Sequence, residues 1–136
     1  MKLLMFQAKR FWWKSFSKTL ADAPDADVEE CVTDAVVVFL HCEETDVSQG
    51  SQLLTKTLKN VKWLANKRGL KNVVLHSFTH LSDSTATPEY AHGFLEAAAE
   101  RLRGTDYSVW LTPFGYFFEW ELGVYGESLA KVFKAL

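Results

Sequence analysis

Ala35–Cys42 reads AVVVFLHC, an unbroken apolar run rich in β-branched residues. Such a run suits a central strand covered on both faces, since a face in water would demand alternating polar residues. Downstream, Ser51–Lys67 changes to helical period. Leu54, Leu58, Val61 and Ala65 share one face, with Leu53, Thr57 and Leu64 beside them. Gly69 is placed to stop that helix. Asn72–Phe78 (NVVLHSF) is again strand-like, so the three segments form a βαβ unit with parallel strands.

Working outward, Thr87 caps a second helix with Pro88 in its first turn. Ala91, Phe94, Leu95, Ala98 and Leu102 form its buried stripe, and Gly104 ends it. Tyr107–Leu111 (YSVWL) and Phe117–Leu122 (FFEWEL) are two strands joined by the tight bend of TPFGYFFEWE, residues 112–121. Upstream, Lys2–Gln7 and Phe11–Phe16 read as a hairpin, and Ala21–Glu30 as a polar loop. Glu127–Ala135 reads as a short closing helix with Leu129, Val132 and Phe133 inward. The expected architecture is one mixed α/β domain over residues 1–136, with about six strands, two main helices and a short C-terminal helix.

The composition, 48% hydrophobic and 24% charged over 136 residues, is that of a globular protein with a sizeable core. No apolar run approaches the ~20 residues of a membrane span, so no membrane partner is expected. The basic start, MKLLMFQAKRFWWK, does not read as a signal peptide. Cys31 and Cys42 make no disulfide framework, which points to a reducing cytoplasm. A net charge of −2 argues against a generally basic nucleic-acid binder. Lys56, Lys59, Lys62, Lys67, Arg68 and Lys71 nevertheless form a basic block, open to two readings: solvated surface or local RNA contact.

Ligands of sheets with parallel strands favour the crevice beyond the strands' carboxyl ends. Three such ends are candidates: His41-Cys42-Glu43-Glu44, Ser77-Phe78-Thr79-His80-Leu81-Ser82 and Thr112-Pro113-Phe114-Gly115-Tyr116. His80 is the leading acid, base or hydrogen-bond donor because imidazole titrates near neutrality. His41, His76, His80 and Cys42 lack a compact metal-ligand spacing, and no metal or other cofactor is expected. Cys42 closes an apolar strand, where an inert thiol is expected. No phosphate-binding glycine loop and no nucleophile elbow occur. Glu119 and Glu121 share one strand face, as a carboxylate pair or as an exposed edge. Lys56, Asn60, Trp63 and Lys67 share one side of the first helix, suited to base stacking or to a protein contact.

Phe78–Ser82 (FTHLS) and Pro113–Tyr116 (PFGY) resemble two motifs of the editing domain at the N-terminus of archaeal threonyl-tRNA synthetases, and the element order agrees. The resemblance implies a D-aminoacyl-tRNA deacylase-like fold, a mixed sheet or partial barrel. It implies hydrolysis of the ester of mischarged tRNA, seryl-tRNA(Thr) in the family, by a homodimer; with no synthetase catalytic or anticodon-binding domain in the sequence, a freestanding relative is expected. Partners would be the tRNA 3′ end with its amino acid, and a threonyl-tRNA synthetase in trans. His80 and Tyr116 would be catalytic, and Cys42, Glu43, Thr79, Ser82, Phe114, Gly115 and Phe117 would bind substrate. The implied chemistry uses positioned water, backbone groups and the RNA 2′-hydroxyl. Phe118 stands where the family has lysine, and Lys131 where it has glutamate. The alternative is therefore a non-catalytic module that binds the tRNA end or an amino acid. Trp12, Trp13, Phe16 and Trp120 are candidates for an apolar contact surface.

Overall fold

The computed structural model describes residues 1–136. In chain order the elements are β1 (Lys2–Lys18), β2 (Glu29–His41), a 3-10 turn (Glu44–Gln49) and α1 (Ser51–Asn66). They continue with β3 (Asn72–Ser77), α2 (Pro88–Arg103), β4 (Ser108–Leu111) and β5 (Tyr116–Val124). A second 3-10 turn (Ser128–Ala130) leads into β6 (Lys131–Ala135). The sheet order is β4-β3-β2-β1-β5, with β6 also paired to β1. β2, β3 and β4 are mutually parallel, as the βαβ reading requires, and β1 is antiparallel to β2, β5 and β6.

The sheet is a curled half-barrel because β1 is long and bent. One edge of its 17 residues serves two partners, β6 along Lys2–Phe6 and β5 along Ala8–Lys18. Register shifts between Ala8 and Arg10 and between Ser15 and Ser17 supply the bends. The AVVVFLHC strand is buried on both faces. Val36, Val38 and Leu40 pack under α1 and α2 with Leu3, Met5, Leu64, Leu75 and Leu95. Val37 and Phe39 face an aromatic interior with Phe11, Trp13 and Phe118. Thr87 caps α2 as expected, its hydroxyl accepting the Tyr90 N–H at 3.2 Å.

Three expectations are corrected. The N-terminal hairpin is one continuous strand: Ala8-Lys9-Arg10 contains no turn residue, and the chain bends there through a bulge instead. Glu29–Thr33, expected partly as loop, extends β2 by pairing with Arg10–Lys14. The closing helix shrinks to the Ser128–Ala130 turn, and Lys131–Ala135 is a strand. Leu129, Val132 and Phe133 fit a helical period, but KVFKA also alternates. The open edge of Lys2–Phe6 needed backbone partners, and that requirement decided the outcome. Only Val132 packs on the core; Leu129 and Phe133 are exposed. Trp13 is fully buried and leaves the expected apolar surface, while Phe16 and Trp120 remain on it.

Candidate functional site

The carboxyl ends of β2, β3 and β4 lie side by side, and the three sequence segments that follow them converge on one cavity of about 490 Å³. Its walls are Cys42 from the first segment, His76–His80 from the second and Thr112–Phe118 from the third. Thr85, Ala86, Pro88 and Ala91, leading into α2, form another side, and Thr19 and Leu20 close the rim. The volume suits a ligand of drug or nucleoside size. No lysine, arginine, aspartate or glutamate lines it.

Backbone hydrogen bonds fix the segments to the strands. The Phe78 N–H donates to the Leu40 carbonyl at 3.0 Å, and the Thr112 N–H to the Leu75 carbonyl at 3.2 Å. Buried His41 anchors the FTHLS segment and the residues just after it. The Leu81 N–H donates to its Nδ1 at 3.0 Å, so Nδ1 carries no proton and Nε2–H donates to Thr85 Oγ1 at 3.1 Å. His41 is thus a clamp behind the cavity.

The PFGY turn is held from two sides. Phe114 stacks on His92 of α2, with ring centroids 4.8 Å apart and an 8° interplanar angle. Gly115 has φ +84°, a conformation that favours glycine, and its carbonyl accepts the N–H groups of Thr19 (2.7 Å) and Leu20 (3.3 Å). A Cβ there would sit 3.0 Å from Ala23 Cβ and 3.3 Å from Leu20 Cβ. The β1–β2 connection, residues 19–28, therefore lies across the turn as a strap.

The cavity gathers seven of the nine residues expected at the site: Cys42, Thr79, His80, Phe114, Gly115, Tyr116 and Phe117. Glu43 and Ser82 are not among its lining residues. Ser82 Oγ donates to Glu43 Oε2 at 2.7 Å, and Glu43 Oε1 accepts from Lys2 Nζ at 2.8 Å and from the Met1 amino group. Burial would raise the Glu43 pKa, but the hydrogen bonds from Lys2, the Met1 amine and Ser82 outweigh it and bring the pKa to about 2. Both side chains are occupied in bracing the wall behind Cys42.

Tyr116 is also engaged by the protein itself. Its ring lines the cavity, but its hydroxyl donates to the Pro24 carbonyl and accepts the Ala26 N–H, both at 2.8 Å. It ties down the strap. The Cys42 thiol is pushed up to about 12 by burial and by the Asp46 charge, which leaves it protonated and inert. His80 is exposed at the cavity wall, its ring edge-on to Phe78 at 5.0 Å. No three His, Cys, Asp or Glu side chains assemble as a metal-ligand group.

One polar group was not among the expected site residues. His76 is buried in the cavity wall, with Nδ1 paired to Thr112 Oγ1 at 2.8 Å. The ring lines the cavity, and its Nε2 has no protein hydrogen-bond partner. Burial drops its pKa to about 4, and the imidazole is neutral at pH 7. The period-2 pattern of β3 could place His76 and His80 on one face, but only the contact with Thr112 reveals its role. Phe118 packs edge-on to His76 at 5.7 Å. Lys131 lies on β6, away from the cavity lining, its Nζ donating to the Tyr125 carbonyl at 3.4 Å.

A half-barrel sheet, two helices on one face and a cavity at the parallel strand ends define a D-aminoacyl-tRNA deacylase-like fold. Among solved structures, the c-Myc DNA Unwinding Element Binding Protein superposes with a TM-score of 0.70 at 15% identity, covering 100% of this chain and 99% of that one. The model of the archaea-specific editing domain of threonyl-tRNA synthetase matches residues 1–136, and the chain belongs to that family. The threonine–tRNA ligase of Hyperthermus butylicus is 30% identical over 138 residues, and that of Staphylothermus marinus 30% over 141. These matches cover 97% and 100% of this chain but 22% of each ligase, so the chain spans about a fifth of their length. Membership in this family assigns the chain to tRNA editing. No helix is long and apolar enough to cross a membrane.

Proposed function

We propose that this chain is an aminoacyl-tRNA deacylase that hydrolyses the ester of mischarged tRNA, with seryl-tRNA(Thr) as the substrate the family suggests. The observation that carries the reading is the convergence of FTHLS and PFGY as adjacent walls of one cavity beyond the parallel strand ends. Water adds to the ester carbonyl carbon, and the ribose oxygen leaves with a proton. The products are a free amino acid and uncharged tRNA. The polar side chains of the cavity include His76, neutral at pH 7, His80, Ser77 and the threonines Thr19, Thr79, Thr85 and Thr112, with no lysine, arginine, aspartate or glutamate among them. Such a site orients water and substrate and leaves proton transfer to the RNA 2′-hydroxyl. The protein acts as a cytoplasmic homodimer, to which exposed Phe16, Trp120 and Phe133 offer apolar area, and it serves a threonyl-tRNA synthetase in trans.

A specific observation favours a second reading, a binding module without turnover. The cavity lining contains no cation to meet a developing oxyanion, and Phe118 fills the wall beside His76. The two readings separate when seryl-tRNA(Thr) and a panel of other mischarged and D-aminoacyl-tRNAs are incubated with the protein. Ester cleavage above the spontaneous rate on any of them establishes the hydrolase. Binding without cleavage across the whole panel selects the second reading.

A further inference from the structure

We propose that the solvent face of α1, continued by β6, is a docking surface for the phosphate backbone of tRNA, distinct from the cavity. The inference rests on the reading that tRNA is the substrate.

Residues 51–82 contain six Lys or Arg and no Asp or Glu. The apolar side of α1 is buried through Leu53, Leu58, Val61 and Leu64, which turns its lysines to solvent. None of Lys56, Lys59, Lys62 and Lys67 forms an ion pair. β6 extends the same surface. Lys134 Nζ lies 5.5 Å from the Trp63 ring centroid and Lys67 Nζ lies 5.8 Å from it, so two elements bring two ammonium groups to one half-exposed indole. Like charges gathered without a counter-ion repel, and a polyanion laid across them relieves that repulsion.

The acids lie elsewhere. Asp22, Asp25, Asp27, Glu29, Glu30 and Asp34 are concentrated in the strap and the start of β2. A chain of net charge −2 thus carries a face of unpaired lysines, bordered by the Arg68–Glu127 ion pair, which fits a partner of dense, regular negative charge. The indole among the lysines adds a plane on which a ribose or base can stack. An acidic protein would share the charge complementarity but would gain nothing from that stacking plane.

The test measures binding of full-length tRNA at a series of salt concentrations, for the wild-type chain and for a Lys67→Ala/Lys134→Ala variant. Binding of a 3′-amino-linked seryl-adenosine, which carries no stem, is measured beside it. The expected result is tRNA affinity at least about tenfold weaker and a log–log salt slope shallower by about two, roughly one per lost phosphate contact. Binding of the seryl-adenosine stays unchanged. Unaltered tRNA affinity and slope would overturn the proposal, as would an equal loss on the short ligand. Failure of the hydrolase reading appears separately. A wild-type chain that binds tRNA through these lysines yet cleaves no ester leaves the docking surface standing and removes the reaction. A wild-type chain that binds no tRNA removes both.

Discussion

The Tyr116 hydroxyl donates to the Pro24 carbonyl at 2.8 Å, joining the turn that walls the cavity to the strap that closes its rim. The bond ties residues 92 positions apart in sequence, and the Ala26 N–H fills the remaining site on the same oxygen. In this arrangement the hydroxyl holds the strap rather than facing a ligand, and a positioning role is the expectation to test. Tyr116→Phe keeps the ring and releases the strap. The expected outcome in steady-state deacylation is a KM raised several-fold with kcat nearly unchanged. A large fall in kcat at constant KM would instead return the hydroxyl to the chemistry.

Gly115 is the companion constraint. Alanine at φ +84° carries a backbone penalty of about 1–2 kcal/mol, and its methyl would press on Ala23 and Leu20. Gly115→Ala should lower stability by that amount in urea melts. It should also open the strap to trypsin after Lys18, at a rate above wild type. Unchanged proteolysis would mean that the strap does not depend on the turn.

Glu43 sets an acid limit on stability. Its folded pKa, about 2, lies below the ordinary carboxylate value, so its contribution is complete above about pH 5. That contribution fades as the pH falls toward 2. A shift of this size corresponds to about 3 kcal/mol. Thermal melts of the wild-type chain should therefore drop steeply over that window, and those of Glu43→Gln should start lower and fall less. Parallel curves for the two proteins would show that the carboxylate is not the group responsible.

Phe118 controls the charge of the cavity. Phe118→Lys would introduce a cation at the wall beside His76, where a tetrahedral intermediate would develop negative charge. Single-turnover deacylation is expected to rise by about tenfold to a hundredfold, less than a full oxyanion-hole donor contributes because the site remains open to water. Phe118→Leu, of similar polarity to the native residue, should leave the rate unchanged. A folded Phe118→Lys protein with no gain would show that oxyanion charge is not what limits this site.

The parts of the fold with a single reading were legible. AVVVFLHC could only be a strand buried on both faces, and the period of Ser51–Lys67 had no competing strand pattern. KVFKA had two readings, and only the open edge of β1, a tertiary demand, chose between them. The bulge at Ala8–Arg10 was invisible for a similar reason, since no glycine, proline or asparagine marks it. At the site, FTHLS and PFGY were visible as motifs and their convergence followed from parallel topology. Hydrogen-bond allocation was not visible. Nothing in the sequence says that the Tyr116 hydroxyl is occupied by the strap, that Glu43 and Ser82 brace each other, or that Thr112 aligns the His76 ring.

The central claim is that the aminoacyl end of tRNA binds between the FTHLS and PFGY walls. The most direct measurement is a titration with 3′-amino-linked seryl-adenosine followed by backbone amide NMR. The account predicts shifts clustered at Thr79, His80, Gly115 and Phe117, with the His76 ring responding in the same titration. Shifts confined to another site, such as the groove lined by Val47, Leu54, Tyr90 and Phe94, would contradict it, as would no shifts at millimolar ligand.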